Sequence, residues 1–301
     1  MNILVTGGAG FIGSHLVDAL LLLGHKVTVY DDLSSGKREN INGEADFILQ
    51  DVTSAVHHGE RFDLVYHLAA KARVVPSFEH PLEYHKNNVL GTATMLEFAR
   101  KCGAKRFILA SSSSIYGGYG KEDMPFREDM APRPTSPYAF DKALGEQLCA
   151  EYSRCYGLSC VALRFFNVYG PRMASGQYST VIQAFLDAKR EGRKLPMRGD
   201  GLHTRDYTHV SDVVRALLYA AEADLPFRFA GFNVGGGENH SVREVAQLIG
   251  GEVENLPAVE EPTDTLASLE QIREHLGWEP KTKFKDGVTA LVLAERIKAN
   301  G

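Results

Sequence analysis

The sequence predicts an α/β fold, a doubly wound parallel sheet with a smaller C-terminal α/β region, on three observations. Short apolar runs alternate with stretches of helical period through the first half of the chain. A glycine-rich turn joins the first run to the first helix. After Asn167 the alternation gives way to loops and shorter elements. Short strands alternating with helices imply βαβ units, and right-handed crossovers wind such units on both faces of one sheet.

Taken in order, Asn2 to Thr6 reads as a buried strand and Phe11 to Leu23 as a helix. Lys26 to Tyr30, Ala45 to Leu49 and Leu64 to Leu68 are the next three strands. One continuous helix is expected from Tyr84 to Cys102, then a strand over Arg106 to Ala110. Pro137 to Tyr156 is a helix with Ser136 as its cap and Pro137 in its first position. Ser159 to Arg164 is the sixth strand. Residues 1–167 are thus expected to form one domain and residues 168–301 mainly a second, with a strand near 232–235 returning to the first. In the second region Thr180 to Glu191, Ser241 to Ile249 and Leu266 to Leu276 read as helices, the last two stopped by Gly250 and Gly277.

Composition narrows the function. The chain has 301 residues, 44% apolar and 24% charged, ordinary values for a globular protein. A net charge of −5 argues against nucleic acid or an anionic membrane as partner. No signal peptide and no membrane span are read, which points to a cytoplasmic protein. Cys102, Cys149, Cys155 and Cys160 form no metal-binding spacing, and buried or partly buried free thiols are expected; no metal site is predicted.

The turn Thr6-Gly-Gly-Ala-Gly-Phe-Ile-Gly13 lies between strand and helix, as a Rossmann-type fold requires. Gly7 suits the tight turn, Gly10 the close approach of a pyrophosphate, and Gly13 the packing of helix on strand. The helix N-terminus at Phe11 and Ile12 then offers N–H groups to phosphate. The second strand is followed by Asp31, 18 residues past Gly13 and close to the ~20 expected of a ribose-binding acid. A carboxylate there accepts from both ribose hydroxyls and repels a 2′-phosphate, so NAD is favoured over NADP. Lys37 and Arg38 are the features that leave NADP open.

Tyr138 and Lys142 stand four residues apart, on one face of the helix. A phenol titrates near ~10 and is a poor base at neutral pH. A nearby ammonium and a cationic nicotinamide ring favour the phenolate, which can take an alcohol proton as hydride leaves the carbon. The run Ala110-Ser-Ser-Ser-Ser-Ile-Tyr-Gly117 follows the fifth strand, at the sheet edge where ligands bind.

Together these features resemble the extended short-chain dehydrogenase/reductases, and within them the UDP-galactose 4-epimerase branch. Further marks are Asp31 to Gly36, His67 to Ala70, Asn87 to Thr92, Ser136 to Lys142, Arg164 to Pro171 and Gly199 to Tyr207. The resemblance implies Ser112, Tyr138 and Lys142 as catalytic residues. It implies a cofactor pocket built from Gly7, Gly10, Phe11, Ile12, Gly13, Asp31, Asp32, Ser35 and Gly36. Asp51 and Val52 would flank the adenine, Leu68, Ala69 and Ala70 would line the pocket with Asn87 beneath, and Ala110, Ser111, Tyr138, Lys142 and Phe165 would complete it. Substrate would meet Ser112, Tyr138, Asn167, Val181 and Arg205, with Asn167 and Arg205 on a diphosphate; Arg198 stands where relatives often have an aromatic residue, and its guanidinium is expected to share the diphosphate with Arg205. A homodimer through the helices near Asn88 to Lys101 and Tyr138 to Tyr156 is implied as well.

The implied reaction is NAD-dependent epimerisation of a nucleotide-activated hexose at C4 through a 4-keto sugar, on UDP-glucose, UDP-galactose or an N-acetyl analogue. The alternative is a 4,6-dehydratase or another 4-keto-forming enzyme. Dehydratases of the family carry Asp-Glu after the catalytic hydroxyl, where this chain has Ser113 and Ser114. A non-catalytic NAD-sensing protein is the third reading. One departure stands out: relatives place a second diphosphate-binding Arg where this chain has Glu261, in Glu261-Pro-Thr-Asp264.

Overall fold

The computed structural model describes residues 1–176, 179–257 and 264–300, side chains only as far as 297. The first part of the chain runs β1 (Asn2–Thr6), α1 (Phe11–Leu22), β2 (Lys26–Asp31), β3 (Asp46–Leu49) and β4 (Leu64–His67). It continues with α2 (Val74–Glu79), α3 (Pro81–His85), α4 (Gly91–Cys102), β5 (Arg106–Ser112), α5 (Pro137–Tyr156) and β6 (Ser159–Phe165). The second part runs β7 (Val168–Tyr169), α6 (Val181–Arg190), β8 (Leu195–Arg198), β9 (Thr204–Asp206) and β10 (Thr208–His209). Then come α7 (Val210–Glu222), β11 (Phe229–Val234), β12 (Asn239–Ser241), α8 (Val242–Ile249), β13 (Val253–Leu256), α9 (Glu270–Leu276) and α10 (Phe284–Asn300).

Seven of these strands form one all-parallel sheet in the order β11-β6-β5-β4-β1-β2-β3. The winding reverses between β1 and β4, so the carboxyl ends of these two strands open onto the crevice where such sheets bind ligands. Strand residues alternate between two cores. Ile3 and Val5 pack with Leu16, Val17 and Leu20 of α1 and with Val213 and Leu217 of α7. Leu4 and Val65 pack on the other face with Met95, Leu96 and Ala99 of α4 and Cys149 of α5. Burial on both faces explains why the strands read as continuous apolar runs.

The second region has its own apolar core, formed by Phe185 and Leu186 of α6, Leu195 of β8, Val245 and Ile249 of α8 and Val288 of α10. Its short strands pair in twos, β7 with β10, β9 with β12 and β8 with β13. Strand β11 leaves this region to pair with β6, as Phe229↔Cys160 through Val234↔Phe165.

Three expectations change. The helix expected over Tyr84 to Cys102 is broken: Lys86–Leu90 widens into a π turn between α3 and α4. Such turns shift the residues after them around the helix and recur at functional sites. The helix expected from Leu266 starts only at Glu270, because Ala267 pairs with Phe126 in an isolated bridge. Cys155 is exposed, while the other three thiols are buried and free. Helices α7 and α10 fall outside the expected elements, although Val210, Val213, Val214 and Leu217 repeat at helical spacing and are buried. No helix among the described residues is long and apolar enough to cross a membrane.

Candidate active site

The turn after β1 is shaped by its glycines. Gly7 sits at φ +72°, and a Cβ there would come within 2.6 Å of the Ala69 nitrogen, in the loop after β4. A Cβ on Gly13 would lie 2.1 Å from the Gly7 carbonyl oxygen. Gly10 caps α1 without a side chain, so the first-turn N–H groups have no internal acceptor. Gly8, not singled out in the sequence, is equally constrained: a Cβ would meet Val29 at 2.7 Å. The ring of Phe11 packs on the core of the second region, and Ile12 packs on the sheet core. Both therefore face the turn through their backbone N–H groups.

Asp31 ends β2, buried, with one oxygen accepting from the Ala9 N–H and the other from the Leu33 N–H, each at 2.9 Å. Burial pushes its carboxyl above the usual range while these two bonds pull it back. Gly36 closes over it: a Cβ would reach the Asp31 carboxylate at 2.9 Å. Asp32 is exposed and accepts from Ser34, and Ser35 is exposed beside it. Lys37 pairs with Glu39 and Arg38 stacks on Phe47, so both cations that left a 2′-phosphate open have partners on the protein. Asp51 caps a short turn through the Thr53 N–H, and Val52 is buried against Gly91.

The loop leaving β4 presents Leu68, Ala69 and Ala70, all partly exposed. His67 anchors it, bonded to the hydroxyls of Thr6 and Thr92 at 2.8 and 3.2 Å. Complete burial holds this imidazole down to about 3, so it stays neutral at any working pH. The π turn carries Asn87, whose side-chain oxygen is buried with no partner. A buried orphan acceptor costs free energy unless something donates to it.

Helix α5 starts as expected: the Ser136 hydroxyl accepts from the Ala139 N–H and Pro137 is the first residue. Its inner face carries Lys142, Gly145 and Glu146, one turn apart. Lys142 is buried and donates to the Ala110 carbonyl oxygen at 2.7 Å; desolvation lowers its ammonium to about 8. Tyr138 is partly exposed, with Lys142 Nζ 5.9 Å from its ring. Desolvation raises its phenol, opposed first by a hydrogen bond with Ser112 and then by the Arg73 guanidinium. The expected help from Lys142 is not among these influences; its ammonium is spent on β5. Ser112 ends β5 beside Phe165 of β6 and accepts from the Ser114 N–H at 3.1 Å.

Ser111 points elsewhere. Its hydroxyl donates to Glu146, which is paired with Arg164 at 2.8 Å, both buried. Arg164 donates on to the Tyr116 hydroxyl, and Tyr116 to Asn233 of β11. Any contact of Ser111 with a cofactor therefore runs through its backbone. This buried network ties α5, β5, β6 and β11 together behind Tyr138. Nothing in the sequence joins these residues to one another.

On the other side, Asn167 donates to the Asp206 carbonyl at 3.1 Å and to Thr265. Val181 opens α6, partly buried on the second core. Arg198 is exposed at the end of β8, and Arg205 lies on β9, donating to the Thr204 carbonyl. The alternative that the sequence leaves for Arg205 is a surface ion pair with Asp200 or Asp206. Instead Asp206 is fully buried and accepts from Gly236, Gly237 and Ala267 N–H groups. Burial pushes its carboxyl up to about 6. Glu261 lies outside the described residues, while Asp264 accepts from the Thr204 N–H at 2.9 Å.

Among the described residues no cluster could hold a metal ion. A dinucleotide does fit. The glycine cradle that any Cβ would fill, the buried Asp31 and the orphan oxygen of Asn87 all lie on the crevice side of the sheet.

Comparison with known proteins agrees with this geometry. Residues 3–235 match the family model described as the NAD dependent epimerase/dehydratase family. The UDP-glucose 4-epimerase of Mycolicibacterium smegmatis is 37% identical over 99% of this chain and 100% of its own. The crystal structure of a UDP-glucose 4-epimerase with UDP-glucose from Thermotoga maritima superposes with a TM-score of 0.93, at 37% identity and 99% coverage of each chain. A UDP-N-acetylglucosamine 4-epimerase from Methanobrevibacter ruminantium, in complex with UDP-N-acetylmuramic acid, superposes at 0.92, with 33% identity over 99% of this chain and 98% of that one. The chain belongs to the NAD dependent epimerase/dehydratase family.

Proposed function

We propose that this chain epimerises a nucleotide-activated hexose at C4, with NAD as a bound cofactor. The observation that carries the reading is the convergence of Ser112, Tyr138 and Lys142 beside the glycine cradle and Asp31. The relatives act on UDP-glucose and UDP-N-acetylglucosamine, so UDP-glucose, UDP-galactose or an N-acetyl analogue is the expected substrate.

In this reading Gly7, Gly10 and Gly13 bring backbone N–H groups to the pyrophosphate, Asp31 accepts from a ribose, and Asn87 supplies the orphan acceptor. Held there, NAD would supply the chemistry of a hydride acceptor and donor at C4 of the hexose. Tyr138 takes the proton of the C4 hydroxyl and later gives it back. Ser112 holds that oxygen and, by its bond to Tyr138, eases the phenol towards ionisation. Arg198 and Arg205 grip the diphosphate, leaving the hexose free to turn over. Residues 1–167, with β11, thus serve the cofactor, and residues 168–301 mainly the sugar nucleotide. Ser113 and Ser114 offer hydroxyls where water elimination needs an acid and a base.

The exposed Phe140 and Leu144 of α5, with Leu90 at the foot of α4, support a homodimer through these helices. The chain is read as a cytoplasmic enzyme. Product analysis tests the main reading. UDP-glucose in heavy water should give its C4 epimer with no deuterium at C5 and no net NADH. Deuterium at C5 with loss of the 6-hydroxyl would make the enzyme a dehydratase.

A further inference from the structure

Helix α1, which opens the glycine cradle, is held on two sides. Leu16, Val17 and Leu20 fix it to the sheet core. Phe11, His15 and Asp18 fall at helical spacing on a separate stripe, and all three meet the second region. The Phe11 ring packs on the second core. His15 Nε2 donates to the Pro171 carbonyl oxygen at 2.9 Å. Asp18 pairs with Arg172 at 2.8 Å, both side chains partly buried.

The same carboxylate reaches a third element. Its other oxygen accepts from Asn42 Nδ2 at 3.1 Å, in the loop between β2 and β3. That loop begins just after Asp31 and runs over the glycine turn, where the Lys37 N–H and the Asn40 side-chain amide both donate to the Ala9 carbonyl oxygen at 3.0 Å. Asp18 thus joins the helix that opens the cradle, the loop that covers it and the second region.

The ledge that carries Arg172 is fixed at both ends. Before it, Gly170 presses on the start of α7, where a Cβ would lie 2.5 Å from Val210. After it, Met173 is buried in the second core. Arg172 itself sits at φ +66°, a left-handed conformation that is costly for a residue with a side chain. Such strain persists where the surroundings over-determine it, and here it delivers the guanidinium to Asp18.

We propose that Asp18 is a positioning residue for the cofactor: bonded to Arg172 and Asn42, it forms a clasp that keeps the cradle closed, so that NAD is not exchanged within a turnover. The inference rests on NAD as the bound cofactor and not on which sugar is turned over. Parting the second region from α1 breaks one bond to Asp18, and lifting the loop between β2 and β3 breaks the other. Both are charge-assisted, and such bonds are stronger than neutral ones.

Exchange of bound NAD against isotopically labelled NAD, followed by mass spectrometry on protein without sugar nucleotide, tests this. Asp18→Asn and Arg172→Gly should each speed exchange about three- to tenfold, with kcat at saturating NAD close to wild type. Arg172→Gly also relieves the backbone, so its melting temperature should hold. Arg172→Lys should recover part of the retention. Wild-type exchange rates in both Asp18→Asn and Arg172→Gly overturn the proposal and leave NAD as the cofactor. So does faster exchange confined to variants whose NAD-free form melts well below wild type, the mark of a contact that serves only the fold. A wild type that holds no NAD defeats the cofactor reading, and the clasp with it.

Discussion

The two sides of the site are built by different means. On the side proposed for the cofactor the positioned residues sit at or just beyond the carboxyl ends of strands in one parallel sheet, and its shape comes from backbone: glycines that admit no Cβ, and a helix N-terminus left open. On the side proposed for the sugar nucleotide the strands are two to four residues long and are tied together by side chains. Asp206 gathers the N–H groups of Gly236, Gly237 and Ala267; Asp264 holds Thr204; Asn167 reaches Asp206 and Thr265. The first side can lose a side chain that only touches ligand and keep its form. In the second, the ties that hold the short strands also position the residues proposed to bind, so cutting a tie should lower function and stability together.

The largest effect is expected on the first side. Tyr138→Phe should lower kcat by roughly 10²–10⁴ while melting temperature and NAD content stay at wild-type values, because it removes one hydroxyl at a partly exposed position. Near-normal turnover would remove Tyr138 from the chemistry, and loss of the fold would break the contrast.

Asp206→Ala is the matching cut on the second side. It leaves three N–H groups without their acceptor, and unfolding free energy should drop by about 3 kcal/mol or more, with substrate affinity falling alongside. A stable variant with intact binding would show that the short strands hold without it.

The same residue gives a pH test. Its carboxyl is raised from 3.8 to about 6, so the native state keeps a proton that the unfolded chain releases. That contribution is complete below pH 3.8 and is lost as pH rises through 6, about 3 kcal/mol in all. Denaturant titrations of wild type and Asp206→Asn between pH 4 and 7 should show wild type losing ground as pH rises. A constant difference would mean that Asp206 titrates normally.

The smallest effect is on the rim. Arg198 is exposed, so Arg198→Ala should leave stability unchanged and weaken UDP binding about tenfold. Arg205→Ala should weaken it at least as much and also loosen β9. Wild-type affinity in Arg198→Ala would leave the diphosphate to Arg205 and other groups.

By itself the sequence determined the parallel sheet, the glycine turn, Asp31 and the Tyr138–Lys142 spacing. These follow from local constraints: period two or 3.6, a cap at Ser136, a φ that only glycine adopts readily at Gly7. Helix α7 was equally open to reading, since its apolar spacing is regular. Other features are invisible without tertiary structure because they depend on residues far apart in the chain. Glu146 and Arg164 meet only when α5 packs on β6, and Tyr116 reaches Asn233 only because β11 returns to the sheet. That packing turned the Ser111 hydroxyl away from the pocket, drew Lys142 onto the Ala110 carbonyl and took Asp206 out of reach of Arg205 as an ion-pair partner.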